Sequence, residues 1–508
     1  MTPLTSSRAR RIFGGWSANV AGLLLALTQQ IALIPLFLKY WSGDTLSAWL
    51  TIFAAGMLAL TLDAGLHGWS LNRFLLFKSR ADCDRRTDRF YGAMLRLYTG
   101  YSVLLLLAML AIFVTVAPSR LLGFSSEPRF DLSFAIMVLG MVLTLPVNVA
   151  TALYRARGRY GRIGGLQALG LAIGQVGQVV GIVMTGSLLV VTIAFVAGQA
   201  AIAIFLTFVD VRRQFPFLGR FRGRVSPRWA IAQLAGALPF SVTNFVELGL
   251  SYLSVLLIGF FVSDRLAIAQ WSLTRTIVNL LRQVSFQTTL PLAAELGHDH
   301  AIGARDSLQR LYVRGSVMLV LLAATVTSGA LAFWPEFFAI WTHGAIPHDA
   351  TLSITLLLGT CAATPALLAM SYANYSNRGP LLLRAKSMQL VLFVVLALLL
   401  IPRYGPLGAA VALIASELVA QSAFLAVVIV SETLQRPLRY ALVLLAMMVT
   451  IVAAGAALGE AISRLAPGRG LAHFVVECGV WLAVVAVVAS PLLRASIREK
   501  LTSVVSRI

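Results

Sequence analysis

Two arginines seven residues apart, Arg275 and Arg282, stand inside an apolar segment, and the polar residues around them recur on a helical beat. Ser272, Arg275, Asn279, Arg282 and Phe286 follow a 3,4,3,4 spacing. In an α-helix all five share one face, with the guanidiniums two turns apart. A charged side chain at the centre of a membrane helix costs roughly 2.5–3.5 kcal/mol on insertion scales, so such a stripe is expected to line a cleft rather than face lipid. Its chemistry suits a diphosphate, because the planar guanidinium fork makes bidentate bonds to phosphate oxygens that an ammonium cannot match. The competing reading pairs Arg275 and Arg282 with buried acids such as Glu247.

Carboxylates supply the other candidate groups. Asn244, Glu247, Ser251 and Ser254 recur at 3,4,3 spacing, below a Pro239 that can kink the helix and free backbone carbonyls. Glu247 could take a coupling proton or sodium ion, or serve as a fixed ion-pair partner. Glu417 lies alone in the middle of a later segment and is its equal rival. Asp63 sits where a segment ends and water can reach it, as a gate or structural contact with Arg73 as its partner. Gln167, Leu171, Gln175 and Gln178 mark another face, where glutamines would bind sugar hydroxyls or hydrogen-bond between helices.

Catalysis and metal binding are not expected. The six histidines are dispersed, and Cys83, Cys361 and Cys478 lack disulfide or metal spacing. Gly158, Gly161, Gly164 and Gly165 follow no strand and precede no Lys-Ser/Thr pair, so they form a turn between helices and not a phosphate loop. No paired acid and base stands in a sizeable aqueous loop.

The elements that must position these groups are membrane helices. Crossing about 30 Å of hydrocarbon takes about 20 apolar residues, and fourteen such segments are expected at roughly 12–38, 46–68, 97–117, 132–154, 163–185, 187–209, 230–260, 266–291, 312–334, 351–373, 387–402, 406–430, 438–458 and 472–493. The eleventh is short enough to begin nearer Leu381. With 58% hydrophobic and 12% charged residues, the chain reads as an all-α polytopic membrane protein. The first stretch is too long for a signal-peptide core and is expected to be retained.

Lys and Arg number 41, and 32 of them fall at the N-terminus, in every second loop and at the C-terminus. Seven (Lys39, Arg120, Arg129, Arg265, Arg403, Arg464, Arg469) lie on the opposite side, and the remaining two are Arg275 and Arg282. Basic loops stay in the cytoplasm, so both termini are expected there. The net charge of +21 thus reflects topology and attraction to anionic membrane lipids. Nucleic acid is excluded as a partner, since no soluble domain remains to bind it.

The first twelve segments read as two copies of one unit. Arg96-Leu97-Tyr98 with Ser102-Val103 recurs as Arg310-Leu311-Tyr312 with Ser316-Val317, 214 residues on. Pro146, Tyr154, Arg157-Gly158 and Gln167 recur as Pro365, Tyr375, Arg378-Gly379 and Gln389, at offsets of 219 to 222, and Asp44 recurs as Asp264. Two six-helix lobes are expected around a central cavity, at 1–218 and 219–434, with two appended helices and a cytoplasmic tail in 435–508. Even-numbered units share an orientation and are related by an axis along the membrane normal. That architecture suits a carrier that rocks about a central site.

The whole chain resembles the Wzx-type polysaccharide flippases of the multidrug/oligosaccharidyl-lipid/polysaccharide exporter superfamily. The likeness is carried by Leu62-Asp63-Ala64-Gly65-Leu66, by Tyr154-Arg155-Ala156-Arg157-Gly158-Arg159-Tyr160, and by Phe333-Trp334-Pro335 through Ile340-Trp341. Pro402-Arg403-Tyr404-Gly405 with Gly408-Ala409-Ala410 completes it. The resemblance implies flipping of a sugar on undecaprenyl diphosphate to the outer leaflet of the bacterial inner membrane, by alternating access through a cationic cavity. A polysaccharide polymerase and a chain-length regulator are the implied protein partners. It implies no cofactor beyond coupling to a proton or sodium gradient. Arg275 and Arg282 would bind the diphosphate. Asn244, Ser251, Ser272, Asn279, Gln175 and Gln178 would line the cavity, and Glu247, Glu417 and Asp63 are the acids for coupling or ion pairing. Fourteen spans fit the related lipid II flippases equally, whose last two helices help form a groove for the polyprenyl tail; packing alone is the competing role here. A drug/cation antiporter of the same superfamily would want an anionic cavity, which the two arginines oppose.

Overall fold

The computed structural model describes residues 28–78, 85–218, 225–376, 378–465, 468 and 470–490. Among them every regular element is a helix. Both chain termini, Cys83 and Arg220, Arg222 and Arg224 of the basic loops lie outside the described residues.

The chain divides into two compact units, 1–268 and 269–508. The first begins with a π turn, Thr28–Ala32, leading into α1 (Leu33–Tyr40). The second span is broken: α2 (Gly43–Ala59) passes through a 3-10 turn, Leu60–Asp63, before α3 (Leu66–Lys78). Then follow α4 (Arg86–Thr115), a short α5 (Pro118–Leu122), and a bent fourth span of α6 (Phe130–Thr144) and α7 (Val147–Ala156). The fifth and sixth spans are α8 (Tyr160–Thr185) and α9 (Leu188–Ile204), the latter continuing through a π stretch, Phe205–Asp210, into α10 (Val211–Gln214). The seventh span, α11 (Pro227–Phe261), closes the unit.

The second unit contains α12 (Leu266–Ile302), which begins just before its boundary, then α13 (Arg305–Trp341), α14 (Ala350–Tyr375) and α15 (Gly379–Glu417). A π stretch, Leu418–Ala426, leads to α16 (Val427–Thr433), and α17 (Pro437–Leu465) and α18 (Leu471–Ala489) complete it.

By length and hydropathy alone, nine helical stretches among the described residues qualify as membrane spans, and the α6–α7 pair, bent by 42°, makes a tenth. One of the nine, Gly379–Thr433, has 55 residues and would run about 80 Å if straight. Gly405, at φ 55° and ψ −131°, breaks it between Pro402 and Pro406, so the eleventh and twelfth spans form a hairpin. A Cβ on Gly408 would stand 2.4 Å from the Leu400 carbonyl oxygen; only glycine lets the two strokes of that hairpin close.

Helices run past the hydropathy limits where the chain turns basic. The third span starts at Arg86 and the ninth at Arg305, about three and about two turns before their apolar stretches. The polar residues there continue the helix, and long polar side chains past the end of a span can reach headgroups and water.

Why α11 counts with the first unit is visible in its packing. It lies along α2, α3 and the turn between them. Trp69 donates its indole N–H to Gln233 Oε1 at 2.8 Å, and Gly236 leaves room for that indole, whose ring would stand 2.8 Å from a Cβ there. Past the other end of α11, Arg265 donates to the Leu122 carbonyl at 2.6 Å and lies over the Phe124 ring. Compactness therefore divides the chain one helix later than the sequence repeat.

Candidate functional site

In the second unit the arginine face of α12 is set against the twelfth span. Arg282 donates to Glu417 Oε2 at 2.7 Å, with the carboxylate side chain 2% exposed and the guanidinium 30%. Arg275 is buried and lies over the Trp271 ring, 5.4 Å from its centroid, a cation–π contact that suits a weakly hydrated guanidinium. Ser272 and Asn279 are half-buried, and Phe286 is 40% exposed. The stripe thus opens progressively from Arg275 through Arg282 to Phe286.

Glu417 ends the helical part of its span, and the π stretch follows at once. Such wide turns re-aim side chains and are frequent at functional sites. One turn on, Gln421 donates to Gln389 Oε1 at 2.8 Å, both side chains being fully buried. Lys386 is buried on the same helix as Gln389. The twelfth span therefore presents a polar line of Glu417 and Gln421 to α12 on one side and to the eleventh span on the other.

The second polar constellation lies wholly in the first unit. Asp63, at the end of the 3-10 turn, accepts three hydrogen bonds from three elements. Tyr98 of α4 donates to Oδ1 at 2.6 Å, the Asn148 amide of α7 to Oδ1 at 2.8 Å, and the His67 backbone N–H of α3 to Oδ2 at 3.0 Å. The His67 ring Nδ1 is 3.1 Å from the Asn148 carbonyl, and Arg155 reaches Nε2 at 3.3 Å. Arg73, the partner expected for Asp63, lies instead over the Trp69 ring at 4.5 Å. The helical stagger of α3 carries it away from the turn.

Other expected residues distribute as follows. Gln175 and Gln178 are both buried within the first unit, while Gln167 on the same helix is exposed. Neither amide atom of Gln178 has a hydrogen-bond partner among the described residues. Ser251 is half-buried and Ser254 fully buried on α11. The side chains of Asn244 and Glu247 lie outside the described ones. The described acid paired with Arg282 is Glu417, a pairing the sequence did not name.

Two clusters were not anticipated. In the first unit Arg162 clamps the buried Asp210, with Nε 2.9 Å from Oδ2, and Tyr154 donates to the same oxygen. In the second unit Arg378 pairs with Glu432 and lies over the Tyr372 ring. Asp210 and Glu432 stand 222 residues apart, the offset of Gln167 and Gln389, so the repeat itself could have found them. Among the described residues no group of three His, Cys, Asp or Glu could hold a metal.

These helices and their order define a fold already seen in membrane transporters. The chain is similar to an inward closed conformation of the lipid II flippase MurJ, with a TM-score of 0.68 at 11% identity over 94% of this chain and 99% of that one. It is likewise similar to an inward-facing multidrug resistance MATE family transporter of the MOP superfamily, with a TM-score of 0.65 at 15% identity over 80% and 93% of the two chains. A variant of the Vibrio cholerae MATE transporter VcmN gives a TM-score of 0.51 at 15% identity over 82% and 95%. The chain shares the fold of these transporters, as the flippase resemblance implied. No protein-family model and no curated protein matches the sequence.

Proposed function

We propose that this protein flips a polyprenyl-diphosphate-linked oligosaccharide from the cytoplasmic to the outer leaflet for surface polysaccharide synthesis, by alternating access. The observation that carries the reading is the Arg275–Arg282 face with Glu417 as its counter-charge. A diphosphate can replace the carboxylate on Arg282 through the same fork of donors. The arginine is then neutralised whether the protein is empty or loaded. The lipid II flippase among the structural neighbours supports a lipid-linked cargo. The MATE neighbours share the fold but not the demand: a cationic drug would meet two guanidiniums here, which disfavours the antiporter reading.

Substitution in a strain lacking the chromosomal gene separates cargo binding from structural pairing. Arg275→Ala and Arg282→Ala each abolish surface polysaccharide while the protein stays in the membrane, and Lys replacements rescue partly. Removing Arg282 and Glu417 together leaves no orphaned charge, so a purely structural pair predicts recovery in the double Ala variant. Cargo binding predicts continued loss. Normal polysaccharide in both single variants, or recovery in the double, overturns the assignment.

A further inference from the structure

Three acids are candidates to couple transport to an ion gradient, and their surroundings differ. Glu417 already holds a formal counter-ion 2.7 Å away. Asp63 does not: among the described residues its hydrogen-bonding neighbours are a phenol, an amide and a backbone N–H. All three groups donate, the arrangement that suits an ionised, acceptor-only carboxylate. A buried charge met only by neutral donors carries a desolvation cost that taking up a proton relieves.

The surrounding groups can be assigned from their bonds. A carbonyl only accepts, so His67 donates from Nδ1 to the Asn148 oxygen. Its Nε2 is then a bare lone pair, which accepts from the Arg155 guanidinium. His67 is thereby held neutral in one tautomer, and Arg155 stands behind it as a cation one ring removed from Asp63. The other titratable groups that face Asp63 are Tyr98, in contact, and Tyr101, both on α4.

The backbone beyond Asp63 is strained. Ala64 and Gly65 take successive left-handed conformations, at φ 52° and 73°. Such a φ at alanine costs about 1–2 kcal/mol, and it persists only where the surroundings hold it. Beside the backbone bond from Ala64 N–H to the Thr61 carbonyl at 3.3 Å, the Asp63 side chain holds it, accepting from the first turn of α3 and tying that turn to α4 and α7. The break lies where the two halves of the second span meet, with α11 packed along both.

We propose that Asp63 is the proton-binding site of this protein and that the Leu60–Gly65 turn is the hinge it controls. A proton from the aqueous side binds Oδ2. The carboxyl then turns from acceptor to donor, the His67 N–H loses its charge-assisted bond, and the left-handed turn is released. The inference rests on the exporter reading for its purpose, but its test needs no sugar lipid.

The full-length protein in lipid nanodiscs, titrated from alkaline to acid pH, is followed by the infrared C=O stretch of protonated carboxyls and by amide hydrogen exchange. The wild type gains a carboxyl band that Asp63→Asn lacks and Glu417→Gln keeps. Once corrected for the pH dependence of intrinsic exchange, the amides of residues 64–67 exchange about tenfold faster in the acid form, the factor implied by loss of one charge-assisted hydrogen bond. In Asp63→Asn they exchange fast at both ends. Asp63→Glu, which moves the band without removing it, keeps the assignment decisive if the Asn variant fails to fold. A band that survives in Asp63→Asn or disappears in Glu417→Gln overturns the proposal, as does exchange at 64–67 that is indifferent to pH. Loss of polysaccharide in the arginine variants is an independent result and leaves this one standing.

Discussion

An arginine whose carboxylate partner is 2.7 Å away binds an anion only as readily as that partner yields, so Glu417 sets the affinity of the whole face. Truncating one side of a fully buried ion pair costs about 3–5 kcal/mol. With the guanidinium nearly a third open to solvent, the loss here is discounted to roughly 1–2 kcal/mol. Glu417→Gln is therefore expected to lower the melting temperature in detergent by a few degrees while tightening binding of inorganic pyrophosphate, read by calorimetry. Unchanged pyrophosphate affinity would show that the carboxylate does not compete for Arg282. The arginine face itself was legible from sequence because 3,4 spacing is a local property of one helix. Its partner was not, since 135 residues separate Arg282 from Glu417. Asp63 drew attention as an acid at a helix end, yet its donors Tyr98 and Asn148 lie 35 and 85 residues away, and proximity in sequence pointed to Arg73 instead. Local pattern names the groups that cost free energy to bury; tertiary packing decides what satisfies them.

At the scale of elements, glycine decides how closely helices approach. Gly170, Gly174, Gly177 and Gly181 of α8 face Ile202, Phe195, Ala194 and Val190 of α9, and a Cβ on Gly198 would stand 2.6 Å from the Gly174 backbone nitrogen. Backbone cannot yield there as a flexible side chain can. Gly198→Val is expected to cost about 1–3 kcal/mol by overpacking and to reduce the yield of folded protein extracted from the membrane. Gly165→Ala, where nothing lies within 4 Å, is the matched control and leaves the melting temperature level or raised, by roughly 0.5–1 kcal/mol of helix propensity. A Gly198→Val protein as stable as the control would show that the two helices can part. The described parts of the fourteen expected segments are helical, the second broken and the fourth bent, with the first described only from residue 28 and the last only to residue 490. Their ends were read short because hydropathy stops where the membrane does, whereas the helix continues: α12 and α13 have 37 residues each, about 55 Å apiece. The break at Asp63 was hidden for the opposite reason, since an apolar run looks the same whether its backbone is straight or turned.

At the scale of the whole molecule, the placement of 41 basic residues is the strongest topological statement in the chain. The structure adds that three of the seven cations expected outside have local contacts: Arg265 holds the Leu122 carbonyl where Gly123 leaves space for it, Arg464 pairs with Glu460, and Lys39 lies over the Tyr40 ring. The 32 on the other side need no such partner to matter, because the rule acts during insertion on the charge of short loops. It follows that orientation and packing can be tested separately. In a protein with Cys83, Cys361 and Cys478 replaced, single cysteines are placed at two exposed positions, Ser125 between the third and fourth spans and Ser307 in the first turn of the ninth. A membrane-impermeant maleimide added to intact cells is expected to label Ser125→Cys at once and Ser307→Cys only after permeabilisation. Labelling of Ser307→Cys in intact cells would reverse the orientation and put the open end of the Arg275–Arg282–Phe286 stripe on the outer side, where a cargo made in the cytoplasm could not first reach it.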